Sequence, residues 1–173
     1  MGNLIFVSGP NGSGKSLFAE SLVAQTQGPR YYIATMDAAT EENRLRIEKH
    51  RKQRAHLGFE TLERSNCVGR DTFPEGSVVL LEDVSNLLSN VLFAEGGTME
   101  AVFADFCNLL QNCSLLIAVT IADLDEAAYD GETAAYIRSL NTLNRKLFDM
   151  AQTAFTMEGG KPILKKGGVP ICF

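Results

Sequence analysis

The stretch Gly9-Pro10-Asn11-Gly12-Ser13-Gly14-Lys15-Ser16 follows the apolar run Leu4-Ile5-Phe6-Val7 and opens a helix-like segment, Gly14 to Gln25. It fits the spacing G-x-x-x-x-G-K-[ST], and it stands between a strand and a helix, where its chemistry needs it. Glycines let successive backbone N–H groups close around phosphate oxygens, and the helix N-terminus adds partial positive charge. Lys15 extends a mobile cation toward the β and γ phosphates, and the Ser16 hydroxyl is a ligand for Mg²⁺. The stretch predicts a nucleoside triphosphate, ATP or GTP, held by Gly9, Pro10, Asn11, Gly12, Ser13, Gly14, Lys15 and Ser16. It reads phosphates, so it does not choose between the two bases. A glycine-rich turn that binds nothing is the competing reading, and the strand and helix on either side weigh against it.

Outward from this loop, apolar runs of strand length cover Asn3 to Ser8, Arg30 to Thr35, Ser77 to Glu82 and Ser114 to Thr120. Val78-Val79-Leu80-Leu81 and Leu115-Leu116-Ile117-Ala118-Val119 are continuously apolar, the pattern of strands covered on both faces. Between the runs lie candidate helices at Gly14 to Gln25, Glu41 to His56, Val84 to Phe93, Met99 to Gln111 and Thr133 to Ala151. Alternating strands and helices predict an α/β fold of the P-loop type, three layers with a mainly parallel sheet. Short glycine-split runs at Thr153 to Met157, Pro162 to Lys166 and Val169 to Phe173 predict a C-terminal antiparallel segment. Arg64 to Gly76 reads as a loop. No linker divides the chain, so residues 1–173 are expected to form one domain.

Of 173 residues, 45% are hydrophobic and 21% charged, close to the ~150 expected of one domain. A chain of this size buries roughly 70% of its unfolded surface and needs no disulfide or structural metal. The formal charge of -5 has the wrong sign for bulk attraction to nucleic acid or anionic lipid, and neither is expected as a partner. No export signal or membrane anchor is read, and Phe6 stands where a myristoylation signal wants Ser or Thr. Cys67, Cys107, Cys113 and Cys172 form no C-x-x-C pair, so buried free thiols in a cytoplasmic protein are expected.

A P-loop site also wants a carboxylate at the end of a neighbouring strand, to hold the metal or a water. Glu82 and Asp83 stand there, and strand alternation points them to opposite faces, so one of the two is expected to serve. Glu48, Lys49, His50, Arg51, Lys52, Arg54 and His56 crowd a charged helix that carries both histidines of the chain. Its periodicity is that of a solvated face, and a phosphate-handling or nucleotidyl-accepting helix is the alternative. Asp123, Asp125, Glu126 and Asp130 lack calcium-loop spacing and read as a solvated loop. Thr133 to Ala151 and Leu87 to Phe93 read as core packing, with an oligomer seam as the alternative.

With these residues in place, the chain resembles the bifunctional adenosylcobinamide kinase / adenosylcobinamide-phosphate guanylyltransferase family of cobalamin biosynthesis. The resemblance rests on an ordered series: the P-loop, Tyr32-Ile33-Ala34-Thr35, Glu41 and Glu42, Arg46-Ile47-Glu48-Lys49-His50 and Arg54. Leu80-Leu81-Glu82, Asn90-Val91-Leu92-Phe93, Gly96-Gly97, Asn144, Leu147, Ala151 and the closing Gly159 to Lys165 continue it. It implies phosphorylation of the aminopropanol hydroxyl of adenosylcobinamide, then transfer of GMP from GTP onto that phosphate through a guanylylated histidine. It also implies a homotrimer, and it places Lys15, Ser16 and Glu82 on phosphate and metal positions and Arg46 beside the nucleotide.

The departures fall on the other half of the chemistry. The family's nucleophilic histidine position is Lys49 here, and His50 matches the second of two adjacent histidines. One residue along a helix is a rotation of about 100°, so His50 is expected to need a turn of the helix to take over. Lys49 would need desolvation or cationic neighbours to lose its proton and attack. Gly12 replaces an arginine, Ile121-Ala122-Asp123-Leu124 replaces Asn-Glu-Val-Gly, and the family's tryptophan is absent. The expected activity is therefore the kinase step, ahead of guanylyl transfer. A kinase of another small alcohol and a nucleotide-binding interaction protein are the alternatives.

Overall fold

The computed structural model describes residues 1–94 and 96–168. Its strands are β1 (Asn3–Gly9), β2 (Arg30–Ala34), β3 (Phe59–Glu63), β4 (Val78–Glu82), β5 (Leu115–Ile121), β6 (Thr153–Glu158) and β7 (Lys161–Lys166). The helices are α1 (Lys15–Ala24), α2 (Glu41–Arg54), α3 (Val84–Leu92), α4 (Met99–Asn112) and α5 (Gly131–Met150), with short 3₁₀ turns at Ala55–Leu57 and Glu126–Ala128. One seven-stranded sheet runs in the order β3-β2-β4-β5-β1-β6-β7. All neighbours are parallel except the final pair β6 and β7. The α/β class, the parallel sheet and the antiparallel C-terminal pair are as expected.

Strand alternation divides the core in two. Leu4, Phe6, Val79, Leu81, Leu116 and Ala118 face α3, α4 and α5, where Leu87, Leu88, Phe106, Leu109, Leu140, Leu143 and Leu147 are buried. Ile5, Val7, Val78, Leu80, Ile117 and Val119 face the other side, where Ala19, Leu22 and Val23 of α1 cover them. This two-sided cover explains why these strands lack apolar and polar alternation. Leu87 and the apolar face of α5 go to ordinary core packing, as read from the sequence, while Phe93 is left exposed.

Two differences from the sequence reading stand out. Phe59–Glu63 forms a strand that was not anticipated, paired with β2 at the sheet edge and only partly buried. Its one-sided exposure breaks up the continuous apolar run that marks the inner strands. The second candidate helix ends at Arg54, two residues before His56, and continues as the 3₁₀ turn closed by Gly58. The Arg64 to Gly76 loop is pinned by the Arg64 guanidinium on the Asp71 carboxylate. Val169 to Phe173, including Cys172, lies outside the described residues; Cys67, Cys107 and Cys113 are free thiols, and of these Cys113 is buried as expected while Cys67 and Cys107 are only partly so.

Among the described residues no helix is long and apolar enough to cross a membrane. Nor does any group of three or more His, Cys, Asp or Glu side chains among them form a metal cluster. In the acidic loop, Asp125 caps the 3₁₀ turn through the Ala127 N–H and Glu126 pairs with Arg138.

Candidate active site

β1 delivers the chain to Gly9 and α1 starts at Lys15, so the glycine-rich stretch is the turn between them at the carboxyl edge of the sheet. Gly12 and Gly14 have φ of 70° and 87°, left-handed backbone that a Cβ would strain. The arginine of the resemblance would therefore be poorly accommodated at position 12. Lys15 Nζ donates to the Pro10 carbonyl at 2.8 Å, folding the ammonium back over its own loop. Burial pushes its pKa below the ordinary lysine value, opposed by the nearby Asp83 and Glu82 carboxylates.

Ser13 Oγ is buried and has no hydrogen-bond partner among the described residues. A buried hydroxyl left unpaired costs about 1–3 kcal/mol. An orphan donor, a partly desolvated ammonium and left-handed glycines in one turn fit a chain of phosphate oxygens, which would accept from both side chains.

Across from this turn, β4 ends at Glu82. Ser16 Oγ in the first turn of α1 donates to Glu82 Oε1. Tyr32, on the neighbouring strand β2, donates its hydroxyl to Glu82 Oε2 at 3.0 Å. A serine hydroxyl and a carboxylate are hard oxygen donors, a set whose chemistry suits Mg²⁺. The residues present thus fit the metal that the P-loop implies.

Asp83 lines the same pocket as Glu82, so the two carboxylates are not sent to the opposite faces that strand alternation predicts. Asp83 Oδ1 accepts from the Asn86 N–H and the Ser85 hydroxyl, both at 2.6 Å, and so caps α3. The Thr35 hydroxyl donates to the Asp83 carbonyl and accepts from the Asp83 N–H, tying the end of β2 to the end of β4. Asn90 of α3 donates to the Thr35 and Ser65 carbonyls, which fixes the same corner from the other side.

The helix α2 is capped by Thr40, carries Glu41 and Glu42 in its first turn and Arg51, Lys52 and Arg54 in its last, and so complements its own dipole. Arg54 is its one buried residue. Ile47, His50 and Arg54 recur at intervals of three and four, one face of the helix. They line a pocket with Tyr32, Met36, Glu82, Asp83 and Asn86. Lys49 falls on another face and is exposed outside the pocket, while Arg46, one turn before His50, pairs with Glu42 at 2.8 Å and is not among the lining residues. His50 therefore lines the pocket with the helix as it stands.

Tyr32 and Arg54 were not singled out as site residues from the sequence. The Arg54 guanidinium carbon sits 3.5 Å from the centre of the Tyr32 ring, an arrangement worth about 2 kcal/mol when desolvated. Burial and the Glu82 charge push the Tyr32 phenol well above its usual pKa. Glu20 of α1, close to Glu82, Arg54 and His56, is raised by burial and by Glu82. The spacing of residues 47, 50 and 54 was a signal that could have found Arg54.

A family profile described as cobinamide kinase / cobinamide phosphate guanyltransferase matches residues 5–164. The chain belongs to this family. No curated protein matches it. Among solved structures it is similar to one titled "Structural and biochemical analysis of a prototypical ATPase from the type III secretion system of pathogenic bacteria", with a TM-score of 0.54 and 9% identity. That likeness covers 92% of this chain and 52% of the ATPase chain, so this chain spans about half the length of its structural neighbour. At such identity the likeness is one of fold, a P-loop α/β sheet.

Proposed function

We propose that the protein is an adenosylcobinamide kinase, transferring the γ-phosphoryl group of ATP or GTP to the aminopropanol hydroxyl of adenosylcobinamide. The observation that carries this reading is the contact of Ser16 with Glu82, which closes the P-loop turn directly onto a pocket lined by His50, Arg54, Asp83 and Asn86. The P-loop turn grips the triphosphate, and Lys15 neutralises charge as it spreads over the transferred group. Mg²⁺, when bound, would supply further charge neutralisation to the triphosphate. Ser16 and Glu82 are the side chains that would hold it. In the pocket, Asp83 orients the acceptor hydroxyl and takes its proton as the oxygen attacks phosphorus and the bond to the β-phosphate oxygen breaks.

A second step is supported by the position of His50. Its imidazole would attack the α-phosphorus of GTP and expel pyrophosphate, and an oxygen of cobinamide phosphate would then displace the histidine. His50 is assigned this role over Lys49 because it shares the pocket with Glu82 and Asp83 and Lys49 does not. The enzyme is further proposed to work as a homotrimer, in keeping with the exposure of Leu17, Leu45 and Phe93.

Cobinamide-dependent conversion of nucleoside triphosphate to diphosphate tests the kinase reading. Turnover that rises with adenosylcobinamide supports it; folded protein that turns over no triphosphate with this acceptor overturns it. Nucleotide binding without turnover would point to an interaction protein, and turnover with another alcohol that cobinamide does not compete away would point to a different acceptor.

A further inference from the structure

Arg54 is a buried guanidinium with no ion-pair partner among the described residues, and it leaves α2 to lie flat over one face of Tyr32. Charged side chains are rarely so buried unless something compensates them. Here the compensation is the ring. Phe59 of the edge strand β3 meets the same ring edge-on, with centroids 5.7 Å apart, so Tyr32 is clamped by two elements. Its hydroxyl is then held on Glu82 Oε2, which leaves Oε1 turned to Ser16.

We infer that Arg54 and Tyr32 are positioning residues that fix the Glu82 carboxylate for the metal of the nucleotide complex. This rests on the P-loop reading above. A cation over the face of a phenol draws electron density from it and strengthens the hydroxyl as a donor. The hydrogen bond in turn keeps Glu82 in the one orientation that presents an oxygen to Ser16, as outer partners do for metal-ligating carboxylates. The chain of contact runs from the last turn of α2 through β2 to the end of β4. In this reading Arg54 and the phenol bear on the metal through Glu82.

The test is the ratio of affinities for a fluorescent triphosphate analogue in MgCl₂ and in EDTA, measured by titration on wild type, Tyr32→Phe, Arg54→Gln, Arg54→Lys and the double variant Tyr32→Phe/Arg54→Gln. Tyr32→Phe keeps the ring and its contacts and removes only the hydroxyl, so melting near the wild-type temperature is expected. Its Mg²⁺-to-EDTA ratio should fall about tenfold. Arg54→Gln should lose a smaller part of the ratio, Arg54→Lys should recover it partly, and the double variant should be no worse than Tyr32→Phe, because the two act in series. An unchanged ratio in Tyr32→Phe, or losses that add in the double variant, overturns the inference while leaving the P-loop reading intact. Wild type with no Mg²⁺-dependent triphosphate binding overturns both.

Discussion

Ser16 Oγ donates to Glu82 Oε1 across 66 positions of sequence, joining the first turn of α1 to the end of β4. β1 and β4 are not neighbours, since β5 lies between them. The contact exists because the glycine-rich turn rolls the start of α1 toward β4. It brings together a hydroxyl and a carboxylate, hard oxygen donors that would suit Mg²⁺.

Glu82→Gln keeps the volume and one acceptor and removes the charge. Metal-dependent turnover should fall by about 100-fold or more, on the scale of losing a preorganised electrostatic contact. Circular dichroism should be unchanged. Turnover within a few-fold of wild type would show that another carboxylate serves.

Glu20 has a pKa raised above the usual glutamate value by burial and by the Glu82 charge. Between the unfolded and folded pKa values the folded state holds the extra proton, so stability falls as pH rises through that window. The penalty is absent below the ordinary pKa of 4.5 and complete above the folded value. Glu20→Gln should therefore unfold at higher denaturant concentration than wild type near pH 7, with the gain vanishing as pH drops below about 4.5. A gain of equal size at both pH values would remove Glu82 repulsion from the explanation.

Asn144 in α5 accepts from the buried Thr120 hydroxyl at 2.8 Å and donates to the Ile121 carbonyl at 2.9 Å. The end of β5 that it holds lies beside the P-loop turn, where the Ala122 N–H donates to the Gly9 carbonyl. Asn144→Ala removes both bonds, leaving the Thr120 hydroxyl only its 3.2 Å contact with the Ile121 carbonyl, and should cost about 1 kcal/mol in chemical denaturation. A loss below about 0.5 kcal/mol would mean that water replaces the amide.

His50 shares the pocket with Glu82 and Lys49 does not. Incubation with α-³²P-GTP and Mg²⁺, followed by denaturing separation, should leave label on the chain that His50→Ala abolishes and Lys49→Ala retains. An acid-labile phosphoramidate is the expected bond. Label lost only in Lys49→Ala would place the nucleophile on the other face of α2.

The layered fold was legible because Leu4 to Val7, Val78 to Leu81 and Leu115 to Val119 are apolar without alternation, which only a sheet covered on both sides explains. The P-loop was legible from its spacing together with the strand before it and the helix after it. β3 was not, because an edge strand is buried on one side and Phe59-Glu60-Thr61-Leu62-Glu63 carries three polar residues to two apolar ones. The pocket face of α2 was hidden by composition: nearly every residue around Ile47 is charged, so the helix reads as solvated. Its one buried side chain is an arginine, which no apolar periodicity marks. The bond from Tyr32 to Glu82 joins neighbouring strands whose pairing sequence alone does not specify.

The most direct measurement is transfer of ³²P from γ-labelled ATP or GTP to adenosylcobinamide in the presence of Mg²⁺, with products separated from nucleotide and counted. The wild-type protein should place label on the cobinamide, and Lys15→Ala should lose it while remaining folded, because the ammonium that neutralises the transferred group is gone. Protein that binds the triphosphate yet leaves adenosylcobinamide unlabelled would contradict the account.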